Sequence, residues 1–215
     1  MGTPRAWALA TTAILTERDH ERHDLLGGNN NSQKNVTEIK KILSEWWGVN
    51  NREDLLNALQ WIEGSGHRED FAKLGAYLSS LNDDQLAEIQ AKMEGDEQAK
   101  HQVKIVRKHY EKLGRKSLLG WDYTRYIALC RWGCLVGYLS EQEAWDRIMP
   151  AAAMLQSTFD SWKDFGENYL IGREFWSYEQ TARDGQLYRN IYRKLLNNSS
   201  SPWNHNPWNM DLRMN

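Results

Sequence analysis

Eleven of the 215 residues are tryptophan, and no other feature constrains the chain as much. Each indole carries roughly 200 Å² of surface that favours burial, and one N–H that needs an acceptor once buried. A chain so supplied folds around large aromatic plates, encloses a pocket with aromatic walls, or does both. Hydrophobic residues at 40% and charged residues at 26% fit an ordinary globular protein. The length allows one substantial core, so one domain or two small ones remain open at this point. A net charge of −2 gives no argument for nucleic acid or an anionic membrane as partner.

Apolar spacing is helical throughout, with almost no strand-like alternation. Proline at the first position after Thr3 opens a helix from Pro4 to Arg18. A polar stretch from His20 to Lys34, with Gly27-Gly28-Asn29-Asn30-Asn31, reads as a loop. Val36 to Trp47 is amphipathic and stops at Gly48, Asn51 caps a helix ending at Gly64, and another runs from His67 to Leu81. Asn82 with Gln85 forms a capping box before a highly charged segment, Asp83 to Leu113, interrupted near Gly95. Leu118 to Tyr138 is apolar nearly all round, as expected of a buried helix. Ser140 with Glu143 opens a helix through Phe159 that Pro150 should kink. Ser161 with Asp164 starts another through Ser177, and Gly185 to Leu196 supplies the last. The expected fold is all-α, a compact array of about eight to ten helices. Residues 35–115 form its more polar half and 116–196 its aromatic-rich core. A tail, 197–215, carries two Pro-Trp steps at 202–203 and 207–208 and is expected to lie in grooves on the body.

Residues Ala6 to Leu15 are about half a membrane span and lack a basic flank, and Ala6 stands where a myristoylation signal wants Ser or Thr. Cys130 and Cys134 are four apart on one helix, with no other cysteine to pair with. A cytoplasmic protein without a membrane anchor is expected.

Particular stretches carry a family resemblance. Trp47-Gly48-Val49-Asn50-Asn51-Arg52-Glu53-Asp54-Leu55, Gly66-His67-Arg68, Gly120-Trp121-Asp122-Tyr123-Thr124-Arg125, Ser161-Trp162, Gly172-Arg173-Glu174-Phe175-Trp176 and Pro207-Trp208 resemble, in this order, a bacterial family catalogued as domain of unknown function 1266. The resemblance covers nearly the whole chain and implies a single domain, 1–215. It implies no activity and no catalytic residues.

Arg173 is the most informative candidate. Trp162, Phe165, Tyr169, Gly172 and Trp176 fall on one helical stripe, and Arg173 lies within it. A guanidinium on such a face needs carboxylate, backbone or ligand partners. Asp122 and Arg125, one turn apart on the buried helix, are the expected internal partners. Trp121, Trp162 and Trp176 would wall a pocket around them. The cluster reads first as a structural ion pair and second as a pocket floor. Arg131 faces the other way and needs a separate explanation. His20 and His23 fall one residue short of the two-imidazole helical zinc spacing, with no third ligand, so no metal and no cofactor are expected. His67 reads as a residue pinning a helix start, and the two cysteines as small core residues. Lys100 to Arg115 is a basic helix preceded by an acidic stretch, read as a solvated face. No phosphate loop, nucleophile elbow or paired-carboxylate constellation stands out. Two readings follow. The leading one is a non-enzymatic module that binds another protein, as an adaptor or an immunity-type inhibitor does, through its Trp and Tyr stock. The alternative is a small-molecule enzyme or ligand-binding domain with an Arg/Asp pocket walled by aromatics.

Overall fold

The computed structural model describes residues 2–213. Its helices are α1 (Pro4–Ala10), α2 (Ala13–Arg18), α3 (Gln33–Trp47), α4 (Arg52–Gly64), α5 (Gly66–Ser79), α6 (Asp83–Lys92), α7 (Glu97–Leu113), α8 (Leu119–Leu135), α9 (Glu141–Thr158), α10 (Trp162–Trp176), α11 (Tyr178–Asn197) and α12 (Pro202–His205). No strand occurs among the described residues, and none of their helices is long and apolar enough to cross a membrane.

Local chemistry sets most boundaries. Thr3, Ser32, Asn51, Asp96, Ser140, Ser161, Ser177 and Ser201 each accept the backbone N–H three residues on, a cap that contributes about 1 kcal/mol. Asn82 with Gln85 and Ser140 with Glu143 form reciprocal boxes. Gly48 ends α3 in the left-handed region. Two boundaries differ from expectation. The first helix divides at Thr11–Thr12, whose hydroxyls donate back to the carbonyls of Ala8 and Leu9 and compete with the helical ladder. Helix α11 starts at Tyr178, not Gly185, because Ser177 caps it. Pro150 sits inside α9, which continues through it to Thr158.

Helix α8 is the centre, touching α3, α4, α5, α9 and α10. Ile127 and Leu129 are wholly buried on it, each contributing roughly 1.5–3 kcal/mol. Helix α10 lies directly against it at Gly172, where a Cβ would come within 2.2 Å of the Trp121 Cβ. The exposed carbonyls at the end of α10 are taken by α7, whose Gln98, His101 and Gln102 side chains donate to Trp176, Glu174 and Phe175. The tail closes the other end of the molecule. Trp7, Trp162, Trp203 and Trp208 form one cluster, with Trp162 and Trp203 stacked at 5.4 Å. Their N–H groups donate to the carbonyls of Pro207, Asn206, Ala10 and Phe159 respectively.

Arg131, on α8, is buried away from that cluster and ties down the loop after α2. Its guanidinium donates to the carbonyls of Arg22, Leu25 and Leu26 and to the hydroxyls of Thr12 and Thr16. Burial depresses its pKa, and Glu21 nearby opposes that shift. Arg131→Met orphans these acceptors, so denaturant titration should show a loss of about 3 kcal/mol or more. Limited proteolysis should then cut between residues 19 and 31. A variant as stable and as resistant as the parent would contradict this role.

Candidate functional site

Two helical stripes face one another across the middle of the molecule. On α8 the stripe is Trp121, Arg125, Ala128 and Trp132; on α10 it is Tyr169, Arg173 and Trp176. Spacings of three and four put each set on one face. Ile42, Trp46 and Trp47 from α3 cover one side, Leu15 and Arg18 from α2 with Asp19 another, and Gln180 and Tyr188 from α11 the third. Together they line a cavity of about 200 Å³ that is open on one side. Trp46, 55% exposed, marks its solvent side.

The two arginines are held by their faces. The Arg125 guanidinium lies between Trp47 and Trp121, 4.2 and 4.7 Å from their ring centroids. Its Nη1 donates to Nδ1 of His67 at 2.9 Å, which fixes that ring nitrogen as an unprotonated acceptor. Burial pulls the Arg125 pKa down to about 10, with Asp122 opposing, so the group stays charged at neutral pH. Arg173 lies 3.8 Å from the Tyr188 ring centroid and pairs through Nη2 with Asp184 and the Gln180 carbonyl. A third guanidinium, Arg18, pairs with Asp19, whose carboxyl is pushed up by desolvation.

Among the described residues, Arg18 Nε makes no hydrogen bond but lies 2.5 Å from Asp19 Oδ1, and three polar atoms of the lining have no protein partner at all: Trp121 Nε1, the Tyr169 hydroxyl and Arg173 Nη1. Their residues are 5%, 0% and 3% exposed. The exception is local. Six tryptophans are buried (7, 121, 132, 145, 162 and 203), and every one but Trp121 donates its N–H to a protein acceptor. Burial among Tyr188 and other neighbours raises the Tyr169 pKa, so the phenol stays protonated.

Of the residues expected to meet, Arg125, Arg173, Trp121 and Trp176 line this cavity; Asp122 and Trp162 do not. Trp162 belongs to the tail cluster. Asp122 points from α8 to the start of α5, so the expected Asp122–Arg173 pair is replaced by Asp184–Arg173. The Asp122 carboxylate, wholly buried, accepts the backbone N–H groups of His67 and Arg68 and the Arg68 guanidinium, each at 3.1 Å. It thereby caps α5 from another helix, since Ser65 makes no capping bond of its own. Gly66 permits the approach: its φ is +59°, and a Cβ there would lie 2.3 Å from the carboxylate. Arg68 also donates to the Ile62 and Glu63 carbonyls, so one buried charge locks the α4–α5 corner to α8.

Sequence reasoning missed Arg18, Asp19, Trp46, Trp47, His67 as a partner of Arg125, and the α11 residues Gln180, Asp184 and Tyr188. The adjacent Trp46-Trp47 pair was a usable signal, since consecutive helical residues do not share one face. Gln180 and Asp184 lie before Gly185, where the sequence pattern starts that helix, whereas Tyr188 lies within it. Elsewhere, His23 pairs with Glu17. Burial raises the pKa of both Cys130 and Cys134, which keeps them as thiols.

A family model described as a protein of unknown function, DUF1266, matches residues 42–208. The chain belongs to this family. Two Escherichia coli (strain K12) proteins described as uncharacterized are similar to it. YbeU is 30% identical over 182 residues, 83% of this chain and 72% of YbeU. YbeR is 29% identical over 150 residues, 67% of this chain, which spans 60% of YbeR's length. No solved structure matches.

Asp122→Ala should cost about 3–5 kcal/mol, as removal of one partner from a buried charge pair does. Gly66→Ala should cost more than about 1 kcal/mol through backbone strain and displacement of the carboxylate. Because both act on one contact, the double variant should lose less than the sum in a thermodynamic cycle. Additive losses would mean that the two residues act separately.

Proposed function

We propose that this member of the DUF1266 family is a binding protein for a small anionic molecule, held in the cavity between α3, α8 and α10. One observation carries the reading: three hydrogen-bonding groups, each nine-tenths or more buried and without a protein acceptor, belong to residues that line one cavity. A buried unsatisfied donor costs about 1–3 kcal/mol. Two of the three groups, an indole N–H and a guanidinium N–H, are donors only, which matches a ligand rich in acceptor oxygens. Arg125 adds further N–H groups and a positive charge. Such donors with aromatic walls are the chemistry of recognition.

Docking of a protein partner, as by an adaptor or immunity-type inhibitor, is the second reading. It is favoured by Trp46 and Trp61, which are 55% and 40% exposed and of the type that anchors interfaces. The cavity takes precedence because six of the eleven tryptophans are buried in the core. Two free thiols agree with a reducing, cytoplasmic setting for either role.

The test is capture. The full chain is incubated with a small-molecule extract of its own host, gel-filtered, and its bound fraction read by mass spectrometry. An anion should be retained by the parent protein and lost from Ala128→Leu, which enlarges a lining side chain without removing a donor. No retained anion, or equal retention by this variant, would refute the proposal.

A further inference from the structure

The charges around the cavity do not cancel, and the remainder specifies the ligand. Arg18 is paired with Asp19, and Arg173 with Asp184. Among the described residues, the hydrogen-bond partner of Arg125 is the Nδ1 of His67 alone. The nearest further carboxylate, Asp122, is already taken by Arg68 and two backbone N–H groups. One guanidinium charge is therefore uncompensated; it packs against the Trp47 and Trp121 rings and gives one N–H to His67, which leaves its other N–H groups for a ligand.

We infer that the ligand is a monocarboxylate carried on a flat aromatic body; this rests on the cavity reading above. A guanidinium edge presents parallel in-plane N–H groups, and the planar acceptor that matches them is a carboxylate with two oxygens and one negative charge. A phosphate monoester is tetrahedral and carries about −1.5 to −2 at neutral pH, which would bury surplus negative charge here. The walls select the body. Trp121 and Trp176 lie 5.7 Å apart, Trp46 stands 6.3 Å from Trp176, and Trp121 and Tyr169 are 5.3 Å apart, so flat faces line the space. Aromatic faces favour an offset or edge-on ring over a puckered aliphatic one. At about 200 Å³ the space lies below the roughly 300–1,000 Å³ of drug-sized sites, so the ligand is a one- or two-ring acid.

Calorimetric titration of the full chain tests this with four probes: indole-3-carboxylate, its neutral amide, cyclohexanecarboxylate and phenyl phosphate. Indole-3-carboxylate should bind at least roughly tenfold tighter than each of the others. Arg125→Lys keeps the charge but loses the planar edge, and should weaken that binding by roughly tenfold while leaving the circular dichroism spectrum unchanged. Tighter binding of phenyl phosphate or of the amide would overturn the carboxylate assignment, and equal binding of cyclohexanecarboxylate would overturn the flat body. The phosphate and cyclohexanecarboxylate results leave the cavity reading standing, whereas tighter binding of the neutral amide counts against an anionic ligand as well. Absence of binding by all four probes overturns the inference alone if the parent protein still captures an anion from extract. Absence of both overturns the cavity reading as well.

Discussion

A single buried carboxylate sets the geometry on which the rest depends. Asp122 takes the N-terminal amides of α5 and the Arg68 guanidinium, and Arg68 in turn holds the end of α4. Three helices are thus fixed to one charge that has no access to water. Its desolvation is offset because every bond it accepts comes from a backbone amide at a helix start or from a cation. One turn further along α8, Arg125 meets His67, the residue whose backbone Asp122 has just immobilised. The orientation of the cavity's charged group therefore follows from a capping interaction on the neighbouring face.

The molecule treats its polar groups in two ways. Around Arg131 and in the tail cluster, buried donors are matched one by one to carbonyls and hydroxyls. Around the cavity, donors of the same kinds are left without acceptors. Both regions are walled by tryptophan and both touch α8, so residue type alone does not separate scaffold from site. Unpartnered indole and guanidinium N–H groups do: among the described residues they occur at the cavity, while the other buried orphans are two imidazole nitrogens and the Asn206 Oδ1.

What was legible in the sequence was local. Serine and asparagine caps, the two reciprocal boxes, Gly48 and the all-round apolar α8 could be read because each is decided within a turn or two of helix. The stripe carrying Tyr169, Arg173 and Trp176 was also legible, because spacing fixes which residues share a face. Which stripe meets which was not. Asp122 and Arg125 are three residues apart, yet one caps α5 while the other turns into the cavity. Nothing in their spacing distinguishes those fates, since both depend on where Gly66 lets the α4–α5 corner come in. Likewise the Thr11–Thr12 break follows from hydroxyls choosing backbone carbonyls, one of them with a fully buried arginine as second partner.

The tryptophan cluster at the chain ends bears on how the molecule is made. Trp7 donates to Pro207 and Trp203 to Ala10, contacts separated by about the full length of the polypeptide. Loop closure over such a span is entropically late, and topology of this kind slows folding. On the ribosome the first helix emerges long before its acceptor exists. The Trp7 indole therefore waits, exposed or held by other hands, until Pro207 has been synthesised.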